Sequence, residues 1–294
     1  MGNADTEKYY VAGEKLRDIL KATANMVREG VKVLEICEWS EKMIREAGFK
    51  PAFPTNISIG STAAHYTSPP KDSLVIGPTD IVKVDMGLHI DGCIVDSAVT
   101  VCLDDRLSIL VEAAMTALER VERILKPGLR VGRIGEVIYS TVRSFNLKVI
   151  ENLSGHKIEK YKIHGASIPN VPTFGGYKLK EGDVIAIEPF TTMNWGAGRV
   201  MDGKESYIFM YRRDIKASGD AEKLLELSRD EYMRLPFCER WVTGLDFKKA
   251  LKVLLKKNAL YEFPVLVEVK GAPIAQAEHT FLVLKDGAAK LTGD

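Results

Sequence analysis

The chain has 294 residues, 46% hydrophobic and 28% charged, a balance that suits an ordinary soluble globular protein able to bury one large core or two smaller ones. A formal net charge of +1 removes any overall electrostatic case for a nucleic-acid or anionic-membrane partner, leaving only local patches such as Lys248-Lys249 and Lys256-Lys257. No run approaches the length of a membrane span, and the opening MGNADTEKYY lacks the basic-then-apolar pattern of a signal peptide, so a cytoplasmic location is the default expectation.

Apolar positions at helical spacing (Tyr9, Leu16, Ile19, Leu20, Val27) predict a helix over 6–28, with Asp5 as its cap and Gly30 as its stop. A second helix follows over 34–47 and ends at Gly48. Next comes DIVKVDMGLHIDGCIVD, residues 80–96, two β-branched runs around Asp91-Gly92, a strong hairpin signal. With Asp91 and Gly92 as the turn, Ile90 faces Cys93 and Gly87 faces Asp96, which puts Asp85 and Asp96 on one face of the sheet. Two carboxylates so placed repel unless a cation joins them. A long helix over 107–125 ends in Lys126-Pro127-Gly128, and a shorter one covers 131–145. This repeats the beginning: GVKVxxIxE from Gly30 lines up with GLRVxxIxE from Gly128 at an offset of 98. We read a duplicated helix-helix-strand unit, an α/β architecture with a cleft between its halves. Strands are expected over 183–188 and 277–284, with helical patterns between them over 221–227, 230–242 and 247–260. These form a helical insertion at about 205–265 inside one domain spanning 1–294.

Cys37, Cys93, Cys102 and Cys238 are scattered without CxxC spacing and are expected as reduced, mostly buried thiols. The Gly- and Pro-punctuated stretch carrying His156 and His164 reads as exposed loop, Glu188 ends an apolar strand before Pro189, and Glu278 sits beside another. Singly, each is more often an ordinary surface or ion-paired residue than a functional one. Together, Asp85, Asp96, His156, Glu188 and Glu278 supply four carboxylates and one imidazole, a donor set for two hard divalent ions sharing oxygen ligands. Two such ions can hold a bridging hydroxide at neutral pH, the logic of metal-assisted hydrolysis. HExxH, GxSxG and GxxxxGK[ST] do not occur.

The five residues in this order, within VDMGLHIDGCIVD, SGHKIEKYKIHG, IAIEPF and AQAEHTFLV, resemble the methionine aminopeptidases over essentially the whole chain. The resemblance implies the pita-bread fold, a pseudo-symmetric duplicated α/β domain. The long Glu188–Glu278 interval, including FCERW, resembles the type II branch in its archaeal form. It further implies that Asp96 and Glu278 bridge two divalent ions (Co, Mn, Fe or Zn), that Asp85 holds one, and that His156 and Glu188 hold the other. Glu188 would also move the proton of the attacking water, His164 would bind the scissile carbonyl, and His65 would contact the substrate backbone. Phe53 matches a residue lining the methionine pocket, although a core aromatic is the plain alternative. Near that pocket, where some type II members place another histidine, this chain offers Ser206 or Tyr207. His89 and His279 are expected to be structural. The implied activity is removal of initiator methionine before a small second residue, by a monomer for which transient ribosome contact is reasonable. The alternatives are a proline-directed peptidase and a non-catalytic binding protein on the same fold.

Overall fold

The computed structural model describes residues 3–293. Helices α1 (Asn3–Ala24) and α2 (Val33–Glu46) cover one side of a four-stranded sheet whose central strand, Ile81–Ile90, pairs with Cys93–Cys102 along its full length. The register is the expected one, with Ile90 opposite Cys93 and Gly87 opposite Asp96. Asp91 (φ 49°) and Gly92 (φ 82°) make the turn, a left-handed pair that matches the strands' right-handed twist.

The duplication is plain in the second half. Helix α3 (Ser108–Glu122) precedes α4 (Val131–Ser144), and α4 has the 14 residues of α2. Both bury the same face, Val33, Ile36, Ser40 and Ile44 in α2 against Val131, Ile134, Ile138 and Val142 in α4, each pair 98 positions apart. That i, i+3, i+7, i+11 spacing is one helical stripe, and it docks each helix on its own sheet. The second sheet runs Gly287–Lys290, His279–Leu284, Val184–Ile187, Ser154–Ile158, Ser167–Pro169. One apolar cluster joins α1 and α2 to the first sheet, around Leu16, Ile36, Val84 and Ile94, and another joins α3 and α4 to the second, around Ala113, Ile138, Ile185 and Phe281.

At the seam the halves exchange matching bonds. Glu278 N–H donates to the Ala98 carbonyl at 2.9 Å and Ala98 N–H returns a bond at 3.4 Å. The Thr280 hydroxyl accepts the Asp96 N–H at 2.8 Å and donates to the Asp96 carbonyl at 2.7 Å. Thr100 does the same to Gln276, at 2.9 and 2.7 Å. This is the pattern of a pseudo-twofold axis passing between Ala98 and Glu278.

The paired strands Val200–Tyr211 and Leu260–Glu268 enclose α5 (Asp220–Glu226), a π-turn over Leu227–Glu231 and α6 (Phe247–Lys256), with a small core of Phe209, Phe237, Phe247 and Leu254. Several boundaries differ from expectation. Helix α1 begins before Asp5, which lies inside it, and it ends six residues before Gly30. The helix expected over 230–242 does not form. Met233 and Arg234 turn left-handed, Pro236 lacks an N–H for a helix, and Phe237-Cys238 instead pairs with Phe209 and Ile208. Helix α6 stops at Lys256 because 260 onward is strand.

Candidate active site

Asp85 and Asp96 reach the site through the hairpin's parity, Asp85 opposite Ala98 on one side and Asn56 on the other, Asp96 opposite Gly87. Glu188 follows the strand Val184–Ile187, and the same turn opens both strands. Asp80 accepts the Gly77 N–H at 2.7 Å and Asp183 accepts the Lys180 N–H at 2.8 Å, and five residues beyond each stands a site carboxylate, Asp85 or Glu188. His156 is on the strand Ser154–Ile158, opposite Ala186, and is only 6% exposed. The expectation of an exposed loop is corrected for this residue. Sheet pairing with Ala186 and Ser167 outweighs the turn-forming residues around it. Glu278 immediately precedes the strand His279–Leu284 and is 2% exposed.

Ligand atoms of Asp96, His156 and Glu278 lie within 4.8 Å of one another. His156 Nε2 is 3.5 Å from Asp96 Oδ2 and 3.6 Å from Glu188 Oε1. Burial, and then the neighbouring carboxylates, hold Asp85, Glu188 and Glu278 well above the usual carboxylate range. Burial also raises Asp96, against the pull of His156. Asp85 Oδ1, Asp96 Oδ1 and Glu278 Oε1 are all buried with no hydrogen-bond partner among the described residues, and His156 turns Nε2 toward them. Orphaned acceptors converging in this way are costly without a cation, and an oxygen-rich donor set with one imidazole fits hard divalent ions.

These groups line a cavity of about 260 Å³, whose walls also carry Phe53, His65, His164, Phe190 and Phe263. All eight residues singled out from the sequence face this one space. Neither Ser206 nor Tyr207 is on its wall. Instead Tyr207 packs edge-on against Tyr66, with ring centroids 5.4 Å apart. His164 opens onto the cavity, its ring 4.8 Å from that of His156, and enclosure by the walls lowers its pKa, as do the nearby His156 and His65. His65 is left-handed (φ 66°), and its Nδ1 is 3.0 Å from the Pro264 carbonyl. A carbonyl only accepts, so Nδ1 carries the proton and Nε2 of the neutral ring is left as an acceptor. Burial, which lowers the His65 pKa, favours that neutral form.

Metallopeptidase family M24 matches residues 7–209. The methionine aminopeptidase of Thermococcus onnurineus (strain NA1) is 43% identical over 291 residues, which cover 97% of this chain and 98% of that protein. The chain belongs to the methionine aminopeptidases of family M24. Among solved structures, a thermophilic Arx1 superposes with a TM-score of 0.89 at 18% identity, covering 100% of this chain and 92% of that one. The methionine aminopeptidase of Thermotoga maritima superposes at 0.74 with 24% identity, covering 100% and 98%. These likenesses carry the pita-bread fold, and membership of a metallopeptidase family makes divalent-metal use a property of the chain.

Two wall residues of this methionine aminopeptidase family member, Phe263 and Asn56, and Gln276, which bonds a wall carboxylate, are not among the residues singled out from the sequence. Phe263 lies between His65 and His164, at ring-centroid distances of 5.4 and 6.1 Å, and arrives from a strand nearly two hundred residues from His65. The Asn56 amide is oriented by its Nδ2 bond to the Pro54 carbonyl at 3.1 Å, and its buried Oδ1 has no partner among the described residues. Gln276, which donates to Glu278 Oε2 at 3.1 Å, could have been found from its two-residue spacing to Glu278.

Proposed function

We propose that this chain removes the N-terminal methionine of nascent polypeptides whose second residue is small, at two divalent ions held in the cavity. Asp96 and Glu278 would hold both ions, Asp85 one, and His156 and Glu188 the other. The observation that carries the reading is the set of orphaned buried carboxylate oxygens of Asp85, Asp96 and Glu278, with His156 Nε2 beside them, in a cavity whose wall also carries Phe53, Phe190 and Phe263. Bound ions would supply a Lewis acid for a carbonyl, an acidified water, and the positive charge that returns the crowded carboxylates to their ionised form.

The chain's own groups do the rest. Phe53, Phe190 and Phe263 enclose the first side chain in an apolar space from which water is excluded. His65 Nε2, an acceptor by the argument above, receives a backbone N–H of the substrate. His164, kept neutral, donates a hydrogen bond to the scissile carbonyl oxygen as negative charge develops there. Glu188 takes the proton of the attacking water and passes it to the departing amine. We further read about 205–265 as the type II insertion within a single catalytic domain. Its strands contribute Ile208, Phe263 and Leu266 to the wall. A nascent-chain substrate makes transient ribosome contact reasonable.

The test is methionine release from a Met-Ala-started peptide by chelator-stripped protein reconstituted with single divalent metals, beside Glu188→Gln and Asp96→Asn variants and a proline-second peptide. Metal-dependent release that falls by roughly a hundredfold or more in both variants is expected. Preference for the proline-second peptide would move the assignment to a proline-directed peptidase. Folded protein inert with every metal would overturn it in favour of a binding protein.

A further inference from the structure

Gly87 stands in the middle of the strand Ile81–Ile90, in regular register between Met86, opposite Ser97, and Leu88, opposite Val95. Its backbone is not in the left-handed region, so conformational freedom does not account for a glycine there. Space does. A Cβ at this position would lie 2.3 Å from Phe53 Cε1, which no real contact tolerates, and 3.0 and 3.1 Å from Cδ1 and Cζ, so the ring must shift. The Ala52 N–H donates to the Gly87 carbonyl at 2.9 Å, which pins the chain beside the strand and lays the next residue's ring over the glycine. That ring also lines the cavity.

We propose that Gly87 is a specificity-determining residue: by giving its Cβ position to the Phe53 ring, it sets how deep the first-residue pocket is. The inference rests on the reading that this cavity receives the substrate's first side chain. The strand behind Phe53 is held on both sides, through Ala52 and through the full hairpin pairing, so it cannot retreat. A methyl group at Gly87 therefore pushes the ring the only way open to it, into the cavity. The displaced ring takes the space that the far end of a long unbranched side chain needs, while a shorter one still fits. Gly87 also faces Asp96 across the hairpin, so a methyl there has one rival route of action, through the carboxylate.

The test compares kcat/KM for Met-Ala-Ser and norvaline-Ala-Ser peptides, whose first side chains differ in length, in wild type, Gly87→Ala and Gly87→Ala/Phe53→Leu, all metal-reconstituted. Gly87→Ala is expected to lower the Met-to-norvaline ratio about tenfold or more, the discrimination one methylene gives in an apolar pocket. The double variant, with a smaller side chain at 53, is expected to regain most of that ratio. An unchanged ratio in Gly87→Ala, or equal losses on both peptides, would overturn the proposal, the second outcome pointing to Asp96 instead. If Gly87→Ala alone does not fold by circular dichroism, the double variant must, since the ring is the obstacle; an unfolded double variant also overturns it. Wild type that releases neither residue would defeat the proposed function and is thereby told apart from failure of this inference.

Discussion

At the scale of single residues, burial decides protonation, and His89 shows this away from the active site. It is 2% exposed, and its Nδ1 accepts the Gly92 N–H at 3.2 Å, closing the hairpin turn. Burial first, then Lys50, push its pKa down to about 4. In the unfolded chain a histidine titrates near 6.5, so between those values the unfolded state binds the extra proton. The stability linked to neutral His89 is therefore complete above pH 6.5 and lost as the pH falls through 4. Substituting His89→Gln should remove that dependence. Urea unfolding of the two proteins should show the gap between them shifting by roughly 2–4 kcal/mol from pH 7 to pH 4, and a constant gap would refute the linkage. The sequence marked His89 as structural only from its place beside the turn. It showed the eight site residues more clearly, because motif order carries them. Asn56 and Phe263 were illegible as wall residues, since what brings Phe263 to His65 is pairing between distant strands rather than any local pattern.

Elements were legible where one physical signal dominated. Helices α2 and α4 follow from their apolar stripe and stop near the glycine or asparagine that ends them, and the hairpin follows from Asp-Gly. The segment 230–242 misled because its apolar spacing suits a helix, while its aromatics are used by a strand pair and the insertion's core. That segment also attaches the insertion to helix α2. Arg240, with a side chain 5% exposed, pairs with Glu41 of α2, whose other oxygen accepts Trp241 Nε1–H at 2.6 Å. Glu41 also accepts the Thr55 N–H at 3.2 Å, and Arg240 reaches the Thr67 hydroxyl at 3.0 Å and the Ser68 carbonyl. The buried ion pair thus grips both segments that flank Asn56 and His65, Glu41 holding Thr55 and Arg240 holding Thr67 and Ser68. Arg240→Met, which leaves the Glu41 carboxylate buried and unpaired, should cost about 3–5 kcal/mol by denaturant unfolding. A double change, Glu41→Leu with Arg240→Met, should recover much of that, because no lone charge is left behind. The KM of both variants should rise, since the wall loses its anchor. Unaltered KM together with full destabilisation would confine the ion pair to holding the insertion.

For the molecule as a whole, duplication has a consequence for charge. Folding brings a hairpin carboxylate pair from one half against strand-end carboxylates from the other, and the threonine clasps of Thr100 and Thr280 fix them close. In the metal-free protein Asp85, Glu188 and Glu278 are held well above their unfolded values by burial and mutual repulsion. A raised carboxylate contributes stability below its unfolded pKa of about 4 and loses it as pH rises through the folded value, so the apo protein is strained at neutral pH. Cation binding reverses the sign of each shift and displaces the protons. The increment in Tm on adding a divalent metal to chelator-stripped protein should thus be larger at pH 8 than at pH 5.5. For one ion at about a hundred times its Kd the increment should be on the order of 4 °C. Glu278→Gln should raise the apo Tm, because folding at neutral pH then no longer has to keep that buried carboxylate protonated, and should shrink the metal increment at both pH values. Scanning calorimetry of the two proteins, with and without metal, separates these effects. An apo Tm lowered by Glu278→Gln, or an increment indifferent to pH, would show that the buried carboxylates are not what the cation relieves.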